Sequence, residues 1–377
     1  MSRTSLLPIV CAGLLACSSG SSTSSPSDHA SPAAPAGAGA GTGLDDAGTT
    51  APTGGSDEAG APPAGDPYKA VFDAVDKASI DKLLNDATGG NAVTVDGAST
   101  RLTERWSPAG KAKFRAFWKG YFTALGMTVN EPTFPIPNLV GETTGHNMEA
   151  VLPGASPDSV VIIVHYDSVG IDGKETQNPA VDDDGSGLAM QMEAARIFSG
   201  LKYRANTVRF VAADYEEISD NLDGDVAYVA YLQKEAKAKG FKILVASDDD
   251  QTGWSCWDED IKLCGAKPPA ANSTFLMISC SGDKKNYAYP ELAKGMAEVA
   301  TAYSTMKITA VCDGSGDTDH YPFWQAGIPG YVIEEYGDNP HYDDTGNDTY
   351  KTINMQYLFQ ISQIQITYQA KLIGLGK

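Results

Sequence analysis

The stretch Val160-Val161-Ile162-Ile163-Val164-His165-Tyr166-Asp167-Ser168 decides how the rest of the chain is read. Its first five residues form a continuous apolar run, as expected of a strand covered on both faces. A Gly/Asp loop follows, then a helical stretch over Gly187 to Phe198, then a second apolar run, Thr207 to Ala213. Outward from there the alternation continues. A helical stretch at Ala227 to Lys239 leads into Phe241 to Ser247, and later come Thr274 to Ser279, a helix from Pro290 to Tyr303, Met306 to Val311 and Gly330 to Glu335. Apolar runs separated by helices predict an α/β domain with a mostly parallel central sheet and helices on both faces. Upstream, Tyr68 to Asn85 and Ala109 to Leu125 carry apolar residues at helical spacing, with Gly126 as a helix stop.

The chain has 377 residues, with 28 basic against 48 acidic residues and a formal charge of -20. Nucleic acid is excluded as a partner on that balance, since phosphate binding needs basic clusters; metal ions and cationic ligands fit better. The first 17 residues read as an export signal, with Arg3 ahead of an apolar run, Leu6 to Ala16, too short to span a bilayer. The run ends Leu14-Leu15-Ala16-Cys17, which resembles the lipobox of bacterial lipoproteins. That resemblance implies a lipid anchor on Cys17 and, with Ser18 next, an outer-membrane address, periplasmic or at the cell surface. Residues 18–67 are rich in Ser, Gly, Ala and Pro and read as a flexible tether. One folded domain is expected over 68–377. Outside the leader, Cys256, Cys264, Cys280 and Cys312 suggest two disulfides in an oxidising compartment.

In sheets of this kind ligands bind beyond the carboxyl ends of the strands. Here those ends carry His165-Tyr166-Asp167-Ser168, the loop Asp182-Asp183-Asp184-Gly185-Ser186-Gly187, Asp214-Tyr215-Glu216-Glu217, Asp248-Asp249-Asp250-Gln251-Thr252-Gly253, Asp319-His320 and Asn339-Pro340-His341. Each cluster alone could be a turn, a helix cap or a solvated charge run. Their recurrence in a chain with only 5 histidines points to one site. Imidazole and carboxylate are the ligands of zinc in open, catalytic arrangements, and a shared carboxylate lets two ions clamp one water.

The constellation resembles the di-zinc exopeptidase family of bacterial leucyl-type aminopeptidases, to which glutamate carboxypeptidase II and the glutaminyl cyclases are related. The segments Gly145-His146-Asn147-Met148-Glu149-Ala150 and Asp319 to Pro329 carry the resemblance further. It implies the zinc-exopeptidase (phosphorylase/hydrolase-like) architecture, two Zn2+ per chain and peptide substrates cut at the N-terminal bond. By position it makes His165 a ligand of one zinc, with Asp167 orienting the imidazole, and Asp182 the bridging carboxylate. Glu216 matches the base that activates the bridging water, and Glu217 the ligand of the other zinc. Asp250 completes the His165 zinc, with Asp248 in reserve, and His341 completes the Glu217 zinc. A monomer is expected, touching a membrane only through the anchor.

The chain departs from the family pattern in the acidic segment Ile218 to Asp225, in the long spacing from His341 to Asp348, and in lacking a tyrosine between Gly314 and Thr318. Two other hydrolase classes are set aside: the sequence has no H-E-x-x-H, and no G-x-S-x-G in the folded part. Ser219-x-Asn221-x-Asp223-Gly224 resembles a calcium loop, but Ala230 stands where a bidentate glutamate is needed. The rival readings are a glutaminyl-peptide cyclase and a non-catalytic surface lipoprotein of the same fold.

Overall fold

The computed structural model describes residues 65–169, 177–219, 221–259, 273–279, 288–313, 318–335, 339–341 and 346–375. The leader and tether expected over 1–67 thus fall almost wholly outside the described residues, as do Cys264 and Cys280; Cys256 is buried and disulfide-bonded.

The chain opens with helices α1 (Pro67–Ala74) and α2 (Lys77–Ala87), a hairpin of β1 (Val93–Val95) and β2 (Ala98–Thr100), and helix α3 (Pro108–Ala124). Short strands β3 (Thr128–Asn130), β4 (Thr133–Pro135) and β5 (Thr144–His146) follow, then β6 (Met148–Leu152) and β7 (Ser156–His165). Next come α4 (Gly185–Ser199), β8 (Asn206–Ala213), α5 (Asp223–Lys239), β9 (Ile243–Asp249), α6 (Cys256–Glu259) and β10 (Ser273–Ser279). The chain ends with α7 (Pro290–Tyr303), β11 (Lys307–Asp313), α8 (Tyr321–Gln325), β12 (Gly330–Glu334) and α9 (Met355–Ile373).

Capping explains where the early helices differ from the periodicity. The helical pattern over Tyr68 to Asn85 is broken into two because Asp76 leaves the helical conformation and its carboxylate accepts the Ala78 N–H, starting a new helix. Helix α3 is set by Ser107, whose hydroxyl caps Gly110, and by Pro108 in the first turn. It ends before Gly126, which takes a left-handed φ of 82°.

The main sheet has the order β11-β10-β12-β9-β7-β8-β6-β3. Its centre is parallel, β12 to β9, β9 to β7 and β7 to β8, as the apolar runs predict. Towards both edges it is mixed, because β12 runs antiparallel to β10, and β6 antiparallel to β8 and β3. The link from Leu152 to Ser156 is too short for a crossover, so β6 can only run against the strands that follow it. The runs Thr274 to Ser279 and Met306 to Val311 do lie side by side, as parallel neighbours β10 and β11.

Along β7 the continuous apolar run divides between two layers. Val160, Ile162 and Val164 enter the larger core with Phe210, Trp118, Leu188, Met296 and Ile361. Val161 and Ile163 enter the smaller one with Tyr228, Leu232 and Phe323. Burial on both faces is what allows a strand with no polar alternation, each such side chain stabilising the fold by roughly 1.5–3 kcal/mol. The arrangement leaves the carboxyl ends of β12, β9, β7 and β8 side by side along one edge. No described helix is long and apolar enough to cross a membrane.

Candidate metal centre

At that edge β7 delivers His165, β8 runs on into Asp214 to Glu217, and β9 ends in Asp248 to Asp250. The acid loop before α4 comes across from the side. Asp184 caps that helix, its Oδ1 accepting the Gly187 N–H at 2.8 Å. Gly187 is required there, since a Cβ would stand 1.7 Å from the Asp249 carbonyl oxygen. The Asp183–Asp184 peptide is cis.

Two groups of ligand atoms converge on one histidine: His165, Asp183 and Glu217 lie within 4.8 Å of one another, and so do His165, Asp184 and Asp250. His165 Nε2 is 2.9 Å from Asp183 Oδ1 and 3.8 Å from Asp250 Oδ1. Among the described residues Asp184 Oδ2 and Asp250 Oδ1 are buried and accept no hydrogen bond. Glu216, next to Glu217, is half-buried, and its charge acts on His165.

Two of the expected residues lie outside these groups of ligand atoms. Asp182 was expected at the shared position, but its Oδ1 accepts the Gly253 N–H at 2.7 Å and its Oδ2 the Asn339 amide at 2.5 Å. It is Asp183 that faces His165, Nε2 to Oδ1 at 2.9 Å. His341 was expected beside Glu217. Its Nε2 instead pairs with the exposed Glu259 at 2.9 Å, in a surface cleft with Trp254, Asp258 and Lys351. The reserve candidate Asp248 is turned to His320, whose backbone N–H it accepts at 3.0 Å.

Asp167 acts on more than the imidazole. His165 Nδ1 lies 3.2 Å from the Asp167 carbonyl oxygen and 3.9 Å from its carboxylate. That carboxylate accepts three successive backbone N–H groups, of Glu216, Glu217 and Ile218, at 3.2, 3.1 and 3.1 Å. It thus fixes the strand end that carries both glutamates. Behind them the buried Lys111 pairs with Asp214 at 3.1 Å and lies 3.8 Å from the ring of Tyr215, a residue at a left-handed φ of 65°. The segment read against a calcium loop begins α5 instead, with Ser219 Oγ donating to Asp223.

Residues missed from the sequence complete the surroundings. Asp348 accepts the Asp182 N–H at 2.9 Å and the Asp183 N–H at 3.0 Å, holding the acid loop by its backbone. Asp225 and Asp319 are buried, with carboxylate oxygens that make no hydrogen bond. The fully buried Arg105 crosses beneath the loops. Asp319 and Asp348 fall in segments that the sequence singled out without a role, and Arg105 in none, because their roles depend on contacts between distant segments.

The electrostatics favour a cation. Burial, followed by the neighbouring acids, holds Asp184, Glu216 and Glu217 well above the ordinary carboxylate range, and Asp183 is raised mainly by burial. His165 is raised well above its usual value although burial opposes it, because Glu216, Asp183 and Asp250 surround it. So many buried acids around one imidazole are relieved by a divalent ion, and the unpartnered oxygens of Asp184 and Asp250 fit that role. One histidine with carboxylates is a ligand set that zinc takes.

The comparisons with known proteins agree with the fold. The sequence pattern of Peptidase family M28 matches residues 147–369, and the chain belongs to that family. It is 31% identical over 228 residues to leupeptin-inactivating enzyme 1 of Streptomyces exfoliatus, a match covering 58% of this chain and 42% of that one. The chain spans about half the length of the curated relatives it matches. In structure it is similar to the LapA aminopeptidase of Legionella pneumophila, with a TM-score of 0.60 at 17% identity over 82% of this chain and 75% of that one. It is also similar to a glutaminyl cyclase of Macrostomum lignano, with a TM-score of 0.62 at 16% identity over 84% and 95%. At such identities the structural likenesses bear on the fold alone.

Proposed function

We propose that the protein is an exported, zinc-dependent aminopeptidase that hydrolyses the N-terminal bond of peptides. The observation that carries this reading is the convergence of His165, Asp183 and Glu217 within 4.8 Å, beside Glu216, in a chain of a peptidase family. His165, Asp183, Asp184, Glu217 and Asp250 are the residues that would hold zinc, with Asp183 proposed for the shared position in place of Asp182. Zinc bound there lowers the pKa of a water and polarises a carbonyl. Glu216, half-buried and fixed through its backbone N–H by Asp167, accepts the proton of the attacking water and returns it to the leaving amine. The excess of acids at the edge suits a substrate with a free ammonium better than one with a free carboxylate. Whether two zinc ions bind per chain is tested by metal analysis; His165 belongs to both groups of ligand atoms and Asp183 to one.

A second reading has one observation in its favour. Among the described residues the metal-capable groups contain a single histidine. The two are separated on peptides with N-terminal glutamine and N-terminal leucine: an aminopeptidase releases the free amino acid from either, whereas a cyclase releases ammonia from glutamine only.

The location proposed is the outer membrane, through lipid on Cys17, with residues 18–67 as tether. Support comes from the sequence of the leader and lipobox alone. Cys17→Ser should release the mature protein into the soluble fraction; unchanged fractionation would remove the anchor from the account.

A further inference from the structure

Arg105 precedes α3, outside the span that matches the family, and its side chain is fully buried. A buried guanidinium ordinarily faces a carboxylate. This one donates to three backbone carbonyls: Nε to Tyr166 at 2.6 Å, Nη1 to Pro179 at 2.7 Å and Nη2 to Ala180 at 3.0 Å. Its own backbone N–H donates to Ser168 Oγ at 3.1 Å. Tyr166 and Ser168 flank Asp167 on the segment that begins with His165. Pro179 and Ala180 lead into Asp182, Asp183 and Asp184. One side chain therefore ties together the two segments that carry His165 and the acid loop.

The attachment is reinforced on both sides. Asn178 N–H donates to the Thr103 carbonyl at 3.0 Å, and Glu104 bridges Asn178 in parallel fashion. The Ala180 carbonyl also accepts the Gly185 N–H at 3.0 Å, closing the turn that contains the three aspartates. Ala180 itself stands at a φ of 45°, a conformation that is strained for a non-glycine residue and persists only when its surroundings hold it.

We infer that Arg105 is a positioning residue for the metal centre: its three-carbonyl fork sets the separation of His165 from Asp183 and Asp184. The inference rests on the proposal that these residues hold zinc. The planar guanidinium is specific to the task, because a lysine ammonium is a point donor and cannot span three carbonyls in a fixed fork. Arg105 makes no bond to a ligand side chain, so it acts through the backbone.

The test is zinc affinity of the full chain by competition with a chromophoric chelator, for wild type, Arg105→Lys and a control, Phe122→Leu. The lysine variant keeps the charge and loses the fork. Phe122 is buried in α3, stacked on Trp118 away from these loops, so its truncation destabilises without touching them. Arg105→Lys should weaken zinc binding about tenfold or more and speed zinc release, while Phe122→Leu at equal or greater loss of Tm leaves both unchanged. Should Arg105→Lys unfold without metal, zinc is titrated into it and into a Phe122 variant of equal metal-free stability, because the refolding midpoint combines affinity with folding free energy; a higher midpoint for Arg105→Lys supports the inference and an equal one overturns it. Equal affinity in Arg105→Lys and wild type overturns the inference, as does an equal weakening in the control. A wild type that binds no zinc refutes the metal-centre reading itself.

Discussion

His165 Nε2 and Asp183 Oδ1 stand 2.9 Å apart, although 17 residues and a loop separate them in the chain. Of three acids in a row the middle one pairs with His165, while Asp182 is engaged elsewhere and Asp184 divides its oxygens between the α4 cap and the group with His165 and Asp250. Asp182 accepts the Gly253 N–H, and Asp184 caps α4. Asp183→Ala should therefore lower zinc content and cut turnover by about 10²-fold or more, through loss of a ligand. Asp182→Asn keeps an acceptor for Gly253 and should retain zinc, with a smaller loss. Metal analysis of the two variants decides between them, and the opposite ranking would return the shared position to Asp182.

Glu216→Gln should keep zinc at the wild-type level and lose about 10²- to 10⁴-fold in kcat, the range of a general base. Glu217→Gln should instead lower zinc content. An empty site in Glu216→Gln with a full one in Glu217→Gln would exchange the two roles.

Asp249 gives the fold a pH dependence of its own. It is fully buried under α9, where Gln365 and Gln369 donate to it, and burial pushes its pKa up from 3.8 to about 8. The folded protein thus binds a proton that the unfolded chain releases near pH 4. Stability is present below that pH and falls as pH rises from about 4 to about 8. Asp249→Asn stays neutral, and its amide can donate to Gln369 Oε1, which is buried without a partner. The variant's Tm relative to wild type should climb through this window and level off above it. A difference independent of pH would show that Asp249 is ionised in the folded state.

Legibility in the sequence followed the range of the interactions. The run Val160 to Val164 and its counterparts disclosed the parallel centre of the sheet, because burial on both faces leaves a local mark. The antiparallel edges did not show, since the pairing of β6 with β8 depends on a link three residues long, Pro153 to Ala155, rather than on composition. At the site, Glu217 and Asp250 each lie in a group with His165, one group for each. Asp182, Asp183 and Asp184 are chemically identical, so which of them faces the histidine is fixed only by the path of the loop. His341 was chosen by motif, and its side chain is directed to Glu259 at the surface. Arg105 and Lys111 left no trace, because each is recognisable only by what it touches after folding.

The central claim is that the acids around His165 hold a zinc on which peptide hydrolysis depends. The most direct test is the release of N-terminal amino acids from a peptide by the purified full chain, measured before chelation, after exhaustive chelation and after zinc is returned. The predicted result is activity that disappears with the metal and is restored by zinc. Hydrolysis that persists at its original rate with no metal in the protein would contradict it.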